Sequence, residues 1–96
     1  MTGLERTSAG LDERRRRLLF RSWRRGTREM DLIMGRFAEA VIGDLTEEEV
    51  AEFERLSEAA DPDLYSWLTG SQPVQTDYDL PMFHRLRDFF PLRPTE

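Results

Sequence analysis

The apolar residues of this chain recur at intervals of three and four positions, which is the spacing of amphipathic helices, and no segment alternates as a strand would. The first apolar stripe predicts a helix whose other faces carry arginines, and it consists of Leu11, Leu18, Leu19 and Trp23. Gly26 stands where the left-handed C′ residue of such a helix belongs, because glycine adopts that conformation without a steric penalty. We therefore expect the first helix to begin near Leu11 and to end at the turn formed by Gly26.

A second helix is predicted directly after this turn. Thr27 is its expected N-cap, and Glu29 and Asp31 in the first turn suit the positive end of a helix dipole. The helix is expected to end near Gly43. Its apolar face is broad enough for the centre of a core, and it consists of Met30, Ile33, Met34, Phe37, Ala38 and Val41.

The third helix has a reciprocal start signal. Thr46 and Glu49 have the spacing of a capping box, in which each side chain bonds the other residue's backbone N–H. Leu45 and Val50 have the spacing of the hydrophobic staple that accompanies such a box. The residues expected to point inward are Val50, Phe53 and Leu56.

Two shorter helices complete the pattern. For the fourth, Asp61 is the expected N-cap, Pro62 the first helical residue and Gly70 the terminator. Its expected core residues are Leu64, Tyr65, Trp67 and Leu68. Residues 71–79 show no period and are predicted to form a loop. The fifth helix is predicted over residues 80–90, with Phe83, Leu86 and Phe90 inward. The predicted fold class is all-α, a small five-helix bundle.

The length and composition of the chain indicate one small domain. The chain has 96 residues, of which 39% are hydrophobic and 34% charged, values typical of a globular domain with a modest core. We expect one helical domain over residues 11–90, between flexible tails at residues 1–10 and 91–96. The chain has no cysteine, no apolar run of the roughly 20 residues that cross a bilayer and no signal-peptide pattern, so we expect a cytoplasmic protein without membrane insertion.

Charge divides the chain into a basic front and an acidic back. Residues 1–36 contain ten arginines and five acidic residues, whereas residues 37–96 contain four arginines and fourteen acidic residues. Every basic residue is arginine, which suits forked bonds to carboxylates or phosphates, although codon bias in a GC-rich genome has the same result. The candidate phosphate-binding residues are Arg14, Arg15, Arg16, Arg17, Arg21, Arg24 and Arg25. A helical nucleic-acid-binding module is therefore an alternative function, although a pI near 4.9 argues against it.

The residue types of a catalytic centre are sparse. The chain has no cysteine, and its one histidine, His84, is expected at the surface or at the boundary of the core, so no usual metal cluster or activated nucleophile is evident. Helix caps and solvated faces account for the acidic runs, and no phosphate-binding glycine loop occurs. We expect no enzymatic activity and no metal in this chain, which leaves a protein-interaction module as the main hypothesis.

The segment RRGTREMDLIMGRF, which begins at Arg24, carries more charge than a turn requires. It resembles the RGxxE signature of the small flavinylation factors of succinate dehydrogenase, with Arg25, Gly26 and Glu29 at the signature positions. Asp31 lies where that family also has an acidic residue.

A second segment strengthens this resemblance. The sequence DPDLYSWL, at residues 61–68, resembles the Asp-Pro-Asp, aromatic and Trp-Leu segment of the same family. Together the two segments extend the resemblance over about residues 11–90.

The resemblance implies a five-helix fold and a chaperone-like role. Family members bind the immature flavoprotein subunit of succinate dehydrogenase and promote covalent attachment of FAD to a histidine of that subunit, and fumarate reductase is a second candidate client. FAD is then attached to the partner and is not a stably bound cofactor of this chain. We expect a monomer before the partner binds. By the same resemblance, the expected partner-binding residues are Arg24, Arg25, Gly26, Arg28, Glu29 and Asp31.

Two physical interpretations of the signature remain open at this point. Arg25 and Glu29 can clamp partner loops through charge-assisted hydrogen bonds, while Gly26 lets another backbone approach closely. Alternatively, Arg25 and Glu29 form an intramolecular surface ion pair, which would be worth under about 1 kcal/mol.

Overall fold

The structure, a computed structural model, describes residues 10–90. The tails predicted at residues 1–10 and 91–96 lie outside the described residues, except for Gly10. Within the described part the chain forms five α-helices and two 3₁₀ turns, without a strand, which confirms the all-α prediction. The helices are α1 (Glu13–Ser22), α2 (Arg28–Val41), α3 (Glu47–Ser57), α4 (Asp61–Thr69) and α5 (Pro81–Phe89).

The described residues fall into two compact units that divide between Val50 and Ala51. Helix α3 begins in the first unit and continues into the second. The single domain expected over residues 11–90 stays a prediction.

Helix α1 is shorter than its apolar stripe indicated. The Asp12 side chain caps its start by accepting a hydrogen bond from the Arg15 backbone N–H at 2.9 Å. The helix ends with Trp23 as a right-handed C-cap, because the Trp23 N–H turns back to the Phe20 carbonyl. The prediction that Gly26 is the C′ residue of this helix is therefore wrong. Gly26 does have a positive φ of 124°, but it serves the connection between the helices.

Helix α2 forms the apolar centre of the first unit. The Thr27 hydroxyl accepts from the Met30 N–H at 3.2 Å, which confirms the predicted N-cap. The predicted apolar face is buried except for Val41, which is partly buried at the helix end. A 3₁₀ turn, Ile42–Asp44, follows and contains Gly43.

The start of α3 confirms the capping box. The Thr46 N–H donates to the Glu49 carboxylate at 2.9 Å, and the Glu49 N–H donates to the Thr46 hydroxyl at 3.1 Å. The predicted staple and core residues of this segment are all buried, and they are Leu45, Val50, Phe53 and Leu56.

In the second unit, α4 departs from the sequence prediction at two positions. Ala60 is the N-cap instead of Asp61, so Pro62 is the second helical residue, whereas Gly70 ends the helix in the left-handed conformation, as predicted. The prediction that Tyr65 lies in the core is wrong, since its side chain is 41% exposed. The reason is geometric: the buried stripe is already filled at three- and four-residue spacing by Leu64, Trp67 and Leu68.

The segment predicted as a loop contains a 3₁₀ turn, Thr76–Tyr78, whose Tyr78 ring lies 5.4 Å from the ring of Trp67. Helix α5 has no side-chain cap of its own at Leu80, and the Glu52 carboxylate of α3 accepts from the Met82 N–H at 2.8 Å instead. Its buried residues are Met82, Phe83 and Leu86, whereas Phe90, which was predicted to point inward, is only partly buried.

Candidate partner-binding site at the α1–α2 junction

The RGxxE signature lies at the junction between α1 and α2, defined here as residues 23–27, and on the first turn of α2. A carboxylate from that turn holds the junction backbone. The Asp31 Oδ1 atom accepts hydrogen bonds from the backbone N–H groups of Arg25, at 2.5 Å, and Gly26, at 3.2 Å. Because Thr27 also caps α2, consecutive junction residues are tied to the same helix end. The junction is therefore a constrained connection, although it has no regular secondary structure.

Trp23 anchors the other side of the junction. Its indole N–H donates to the Glu39 carboxylate at 3.2 Å. Its ring lies against Gly35 of α2 so closely that a Cβ atom at Gly35 would be 2.2 Å from Trp23 Cδ2. Sequence reasoning missed this contact, although a glycine in the middle of a helical pattern is a recognised signal of close packing.

The junction exposes most of the predicted site residues. The exposed residues are Arg24, Gly26, Arg28 and Glu29, whereas Arg25 and Asp31 are partly buried. Asp31 is partly buried because its carboxylate lies against the junction backbone. A Cβ atom at Gly26 would meet no other atom within 4 Å, so the space above this residue is open. The site therefore offers exposed charges around a glycine that leaves room for a second backbone.

The surroundings of Glu29 test the ion-pair interpretation of the signature. Within residues 10–90 its carboxylate has no hydrogen-bond or ion-pair partner, so no Arg25–Glu29 ion pair forms there. The Glu29 carboxylate lies in the first turn of α2, where the positive end of the helix dipole stabilises its charge without an ion pair to the described residues. Glu29 is thus available to donors from outside the molecule.

The arginines at the start of α1 are engaged inside the molecule. Arg15 donates to the Leu45 carbonyl at 2.6 Å and to the Asp12 carboxylate at 2.7 Å. Each neighbouring arginine has its own acceptor, and these contacts are Arg14 to Glu47, Arg16 to the Leu11 carbonyl and Arg17 to Glu13. The nucleic-acid hypothesis named seven arginines as phosphate contacts, and these four of them already donate within the protein. With the pI near 4.9, this does not favour the hypothesis.

Other candidate chemistry does not converge on a centre. His84 is partly buried at the boundary of the core, which agrees with the prediction, and its ring lies 2.5 Å from an Asp79 carboxylate oxygen. Among the residues that the structure describes, no group of three or more His, Cys, Asp or Glu side chains could hold a metal ion. No helix within this range is both long and apolar enough to span a membrane. In the second family-like segment Trp67 is buried, whereas Asp63 and Tyr65 are exposed.

Comparison with known proteins supports the resemblance that the two segments indicated. A family profile described as "Flavinator of succinate dehydrogenase" matches residues 16–90. The FAD assembly factor SdhE of Acetobacter pasteurianus is 42% identical over 76 residues, which cover 79% of this chain and 70% of that protein. No solved structure matches the chain significantly.

Mitochondrial relatives match a shorter share of their own length. Succinate dehydrogenase assembly factor 2 of Lodderomyces elongisporus is 41% identical over 66 residues, and that of Kluyveromyces lactis is 38% identical over 71 residues. The matches cover 69% and 74% of this chain but only 40% and 44% of those proteins. With a profile match over most of its length and a bacterial relative aligned over 70% of its own, this chain belongs to the succinate dehydrogenase flavinator family.

Proposed function

We propose that this protein is an assembly factor that binds the flavoprotein subunit of succinate dehydrogenase and promotes the covalent attachment of FAD to that subunit. The names of its relatives support the assembly role. The structural observation that carries the proposal is Glu29, an exposed carboxylate without a partner in residues 10–90, placed beside a constrained junction. In this proposal FAD is a substrate that ends on the partner, and this chain supplies no nucleophile.

The site residues divide into two roles in this proposal. Glu29 accepts hydrogen bonds from the subunit, and Arg24 and Arg28 donate to its carboxylates. Gly26 allows the subunit's backbone to approach the open space above it. Asp31 stays a predicted partner contact, and its Oδ1 atom also accepts from the backbone N–H groups of Arg25 and Gly26.

A junction that is already ordered in the free protein favours this kind of function. Binding through flexible loops costs conformational entropy for each group that becomes fixed, whereas a constrained junction loses less on association. A chaperone that holds a partner's reacting groups in position lowers the reaction barrier through geometry alone. The assembly factor therefore needs a rigid recognition surface more than it needs catalytic side chains.

We further propose that the free protein is monomeric and acts where the flavoprotein subunit folds, which is the cytoplasm in a bacterium. The fumarate reductase flavoprotein is a second client of the same kind. Comparing covalent flavin on both flavoproteins in a deletion strain tests this extension.

The decisive experiment uses two glutamates at equivalent helix positions. Glu29 and Glu48 are each the second residue of a helix, α2 and α3, and both are exposed without a partner in the described chain. Glu29→Ala and Glu48→Ala should therefore lose similar dipole interactions, at most about 1 kcal/mol of stability each. A strain that lacks the gene is complemented with wild type or either variant, and in-gel flavin fluorescence measures covalent FAD on the denatured flavoprotein subunit.

We expect Glu48→Ala to restore the fluorescent band and Glu29→Ala to leave it weak. Loss of a charge-assisted contact in a desolvated interface should weaken the complex by roughly 2 to 5 kcal/mol, which is at least about thirtyfold in affinity. A full band in the uncomplemented deletion strain would refute the proposed function. Equal restoration by both variants would show that Glu29 is not part of the site.

A further inference from the structure

An exposed face of α1 extends the junction. The Phe20 side chain is 56% exposed, the most exposed of the large hydrophobic residues that the structure describes. The guanidinium carbon of Arg24 lies 3.8 Å from the centre of the Phe20 ring, so the arginine stacks on the aromatic face. Arg21 is exposed beside them, and the Arg24 N–H donates to its carbonyl. We call Phe20, Arg21 and Arg24 the Phe20 face.

A single exposed aromatic residue is common on protein surfaces and needs no explanation. The Phe20 face differs because its cations lack counter-ions. Within residues 10–90 neither Arg21 nor Arg24 forms an ion pair, and the same is true of Arg28 on the first turn of α2. An apolar ring surrounded by arginines without internal carboxylate partners has the composition of an interface anchor and its charged rim.

We propose that the Phe20 face is a second contact with the flavoprotein subunit, in which Phe20 enters an apolar depression and Arg21 and Arg24 bind carboxylates on its border. The inference rests on the proposed function and deepens it. Two observations favour this occupant over an unrelated one. Arg24 belongs both to the junction and to the face, so the two surfaces are continuous, and arginines without an ion pair among residues 10–90 complement a partner surface of negative charge.

Stacking prepares this face for binding. An arginine that covers an aromatic ring keeps its N–H groups free at the edge of the guanidinium plane, so Arg24 can stack on Phe20 and bind a carboxylate at once. The cation–π attraction strengthens when water is excluded, which makes it stronger in the complex than in the free protein. Each partner in the pair also restricts the other's rotamers before association.

The test measures binding of the purified flavoprotein subunit, without FAD, to the full chain by titration calorimetry. Phe20→Ala should lower affinity at least about thirtyfold, the effect of truncating an interface anchor, whereas Phe20→Leu keeps an apolar anchor and should lose less than about tenfold. The matched control is Phe89→Ala, because Phe89 is also an aromatic residue on a helix and is 44% exposed. Phe89→Ala should keep the affinity within about twofold of wild type, because Phe89 is not part of the Phe20 face.

Reversing the charge of an arginine tests the same contact independently of Phe20. Arg21→Glu should lower affinity by at least about tenfold, because it places like charges opposite each other. Arg36→Glu makes the same change at another exposed arginine without an ion pair among residues 10–90, and should change affinity less than about threefold. Melting temperatures of the Phe20 variants should stay within about 5 °C of wild type, since both alanine and leucine favour helices and the ring is mostly in water.

The outcomes separate the two proposals. If the wild-type chain does not bind the subunit, the proposed function and this inference are both overturned. If wild type binds, Glu29→Ala binds weakly and the Phe20 and Arg21 variants bind normally, the inference alone is overturned. Equal losses for Phe20→Ala and Phe89→Ala would also overturn it, because the effect would not be specific to this face.

Discussion

Arginines lie at both ends of α1, but they are bonded within the protein at one end and exposed, without ion pairs to the described residues, at the other. At the amino-terminal end, Arg15 and its three neighbours each donate to a carboxylate or a backbone carbonyl of the protein. At the carboxyl-terminal end, Arg21 and Arg24 form no ion pair with any residue between 10 and 90. Composition treats these arginines as one basic run, whereas the structure separates those that build the fold from those that are available to a partner.

The difference follows from the acceptors that lie nearby. The start of α1 has acidic residues beside it in sequence, and Glu47 and the Leu45 carbonyl are within reach. Near the other end the acids are Glu29, Asp31 and Glu39. The junction backbone already occupies one carboxylate oxygen of Asp31, and Glu39 accepts from the Trp23 indole. The fold thus satisfies backbone donors at the junction and leaves Arg21, Arg24 and Arg28 without an ion pair among residues 10–90. This arrangement costs little in water, and it preserves charge for an interface.

The largest expected effect is at the anchor of the junction. Gly35→Ala places a Cβ atom where the Trp23 ring lies, and neither the helix backbone nor the packed indole can move without loss of contacts. We expect a cost of about 3 kcal/mol in the free energy of unfolding, at the upper end for overpacking. Gly26→Ala is the contrasting variant, because it meets only open space and should cost about 1 kcal/mol through its positive φ. Urea unfolding measures both, and equal costs would show that Trp23 does not depend on Gly35.

The next effect compares the two ends of α1 directly. The Arg15 side chain is only 13% exposed, so Arg15→Met leaves the Leu45 carbonyl without its charged donor and should cost about 2 kcal/mol of stability. Arg21→Met removes an exposed charge and should change stability by less than about 0.5 kcal/mol.

Affinity for the flavoprotein subunit should show the reverse order, with Arg21→Met weakened and Arg15→Met near wild type. Thermal melts and binding titrations on the same two purified proteins provide the measurements. If both variants lose stability, or both lose affinity, the distinction between the two ends of α1 is wrong.

A smaller effect is expected at Asp31. Asp31→Ala removes the acceptor of two backbone hydrogen bonds and should cost about 1 to 2 kcal/mol. Asp31→Asn keeps a side-chain oxygen and should retain most of that stability. Amide hydrogen exchange at Arg25 and Gly26 is the direct measurement, with faster exchange in the alanine variant than in the asparagine variant. Unchanged exchange in Asp31→Ala would mean that the junction is held without this carboxylate.

Local signals in the sequence predicted much of the fold. The capping box of Thr46 and Glu49, the N-cap at Thr27 and the terminator Gly70 depend on residues within one or two turns, so they are readable without the tertiary structure. Tyr65 shows the limit of such reasoning, because residue type and proximity to Trp67 do not fix which side of a short helix is buried.

The physical organisation of the candidate site was less predictable. The resemblance supplied the identity of the signature residues, whereas local patterns did not reveal that Asp31 holds the junction backbone or that Gly35 seats Trp23. These contacts depend on the path of the chain between α1 and α2, and the spacing of apolar residues in the sequence does not predict that path. The same is true of Arg15, whose carbonyl acceptor at Leu45 is distant in sequence.

The smallest expected effect lies at the amino-terminal end of α1, where Asp12 caps the helix. The hydrogen bond from the Arg15 backbone N–H lowers the pKa of the Asp12 carboxyl below its ordinary value of 3.8, and the charge of the Arg15 guanidinium acts in the same direction. Because the folded-state pKa is the lower one, the ionised cap stabilises the protein fully above about pH 5, and this contribution is lost as the pH falls through the folded-state pKa.

Asp12→Asn keeps a capping oxygen but cannot titrate there. The stability advantage of wild type over Asp12→Asn should therefore be constant from about pH 7 to pH 5 and should shrink as the pH falls from about 4 towards 2. Urea midpoints of the two proteins, measured in parallel across this range, give the difference and cancel the titration of all other carboxyl groups. A difference that stays constant down to about pH 2 would show that the Asp12 charge does not stabilise the start of α1, and that the amino-terminal arginines are held by their other acceptors.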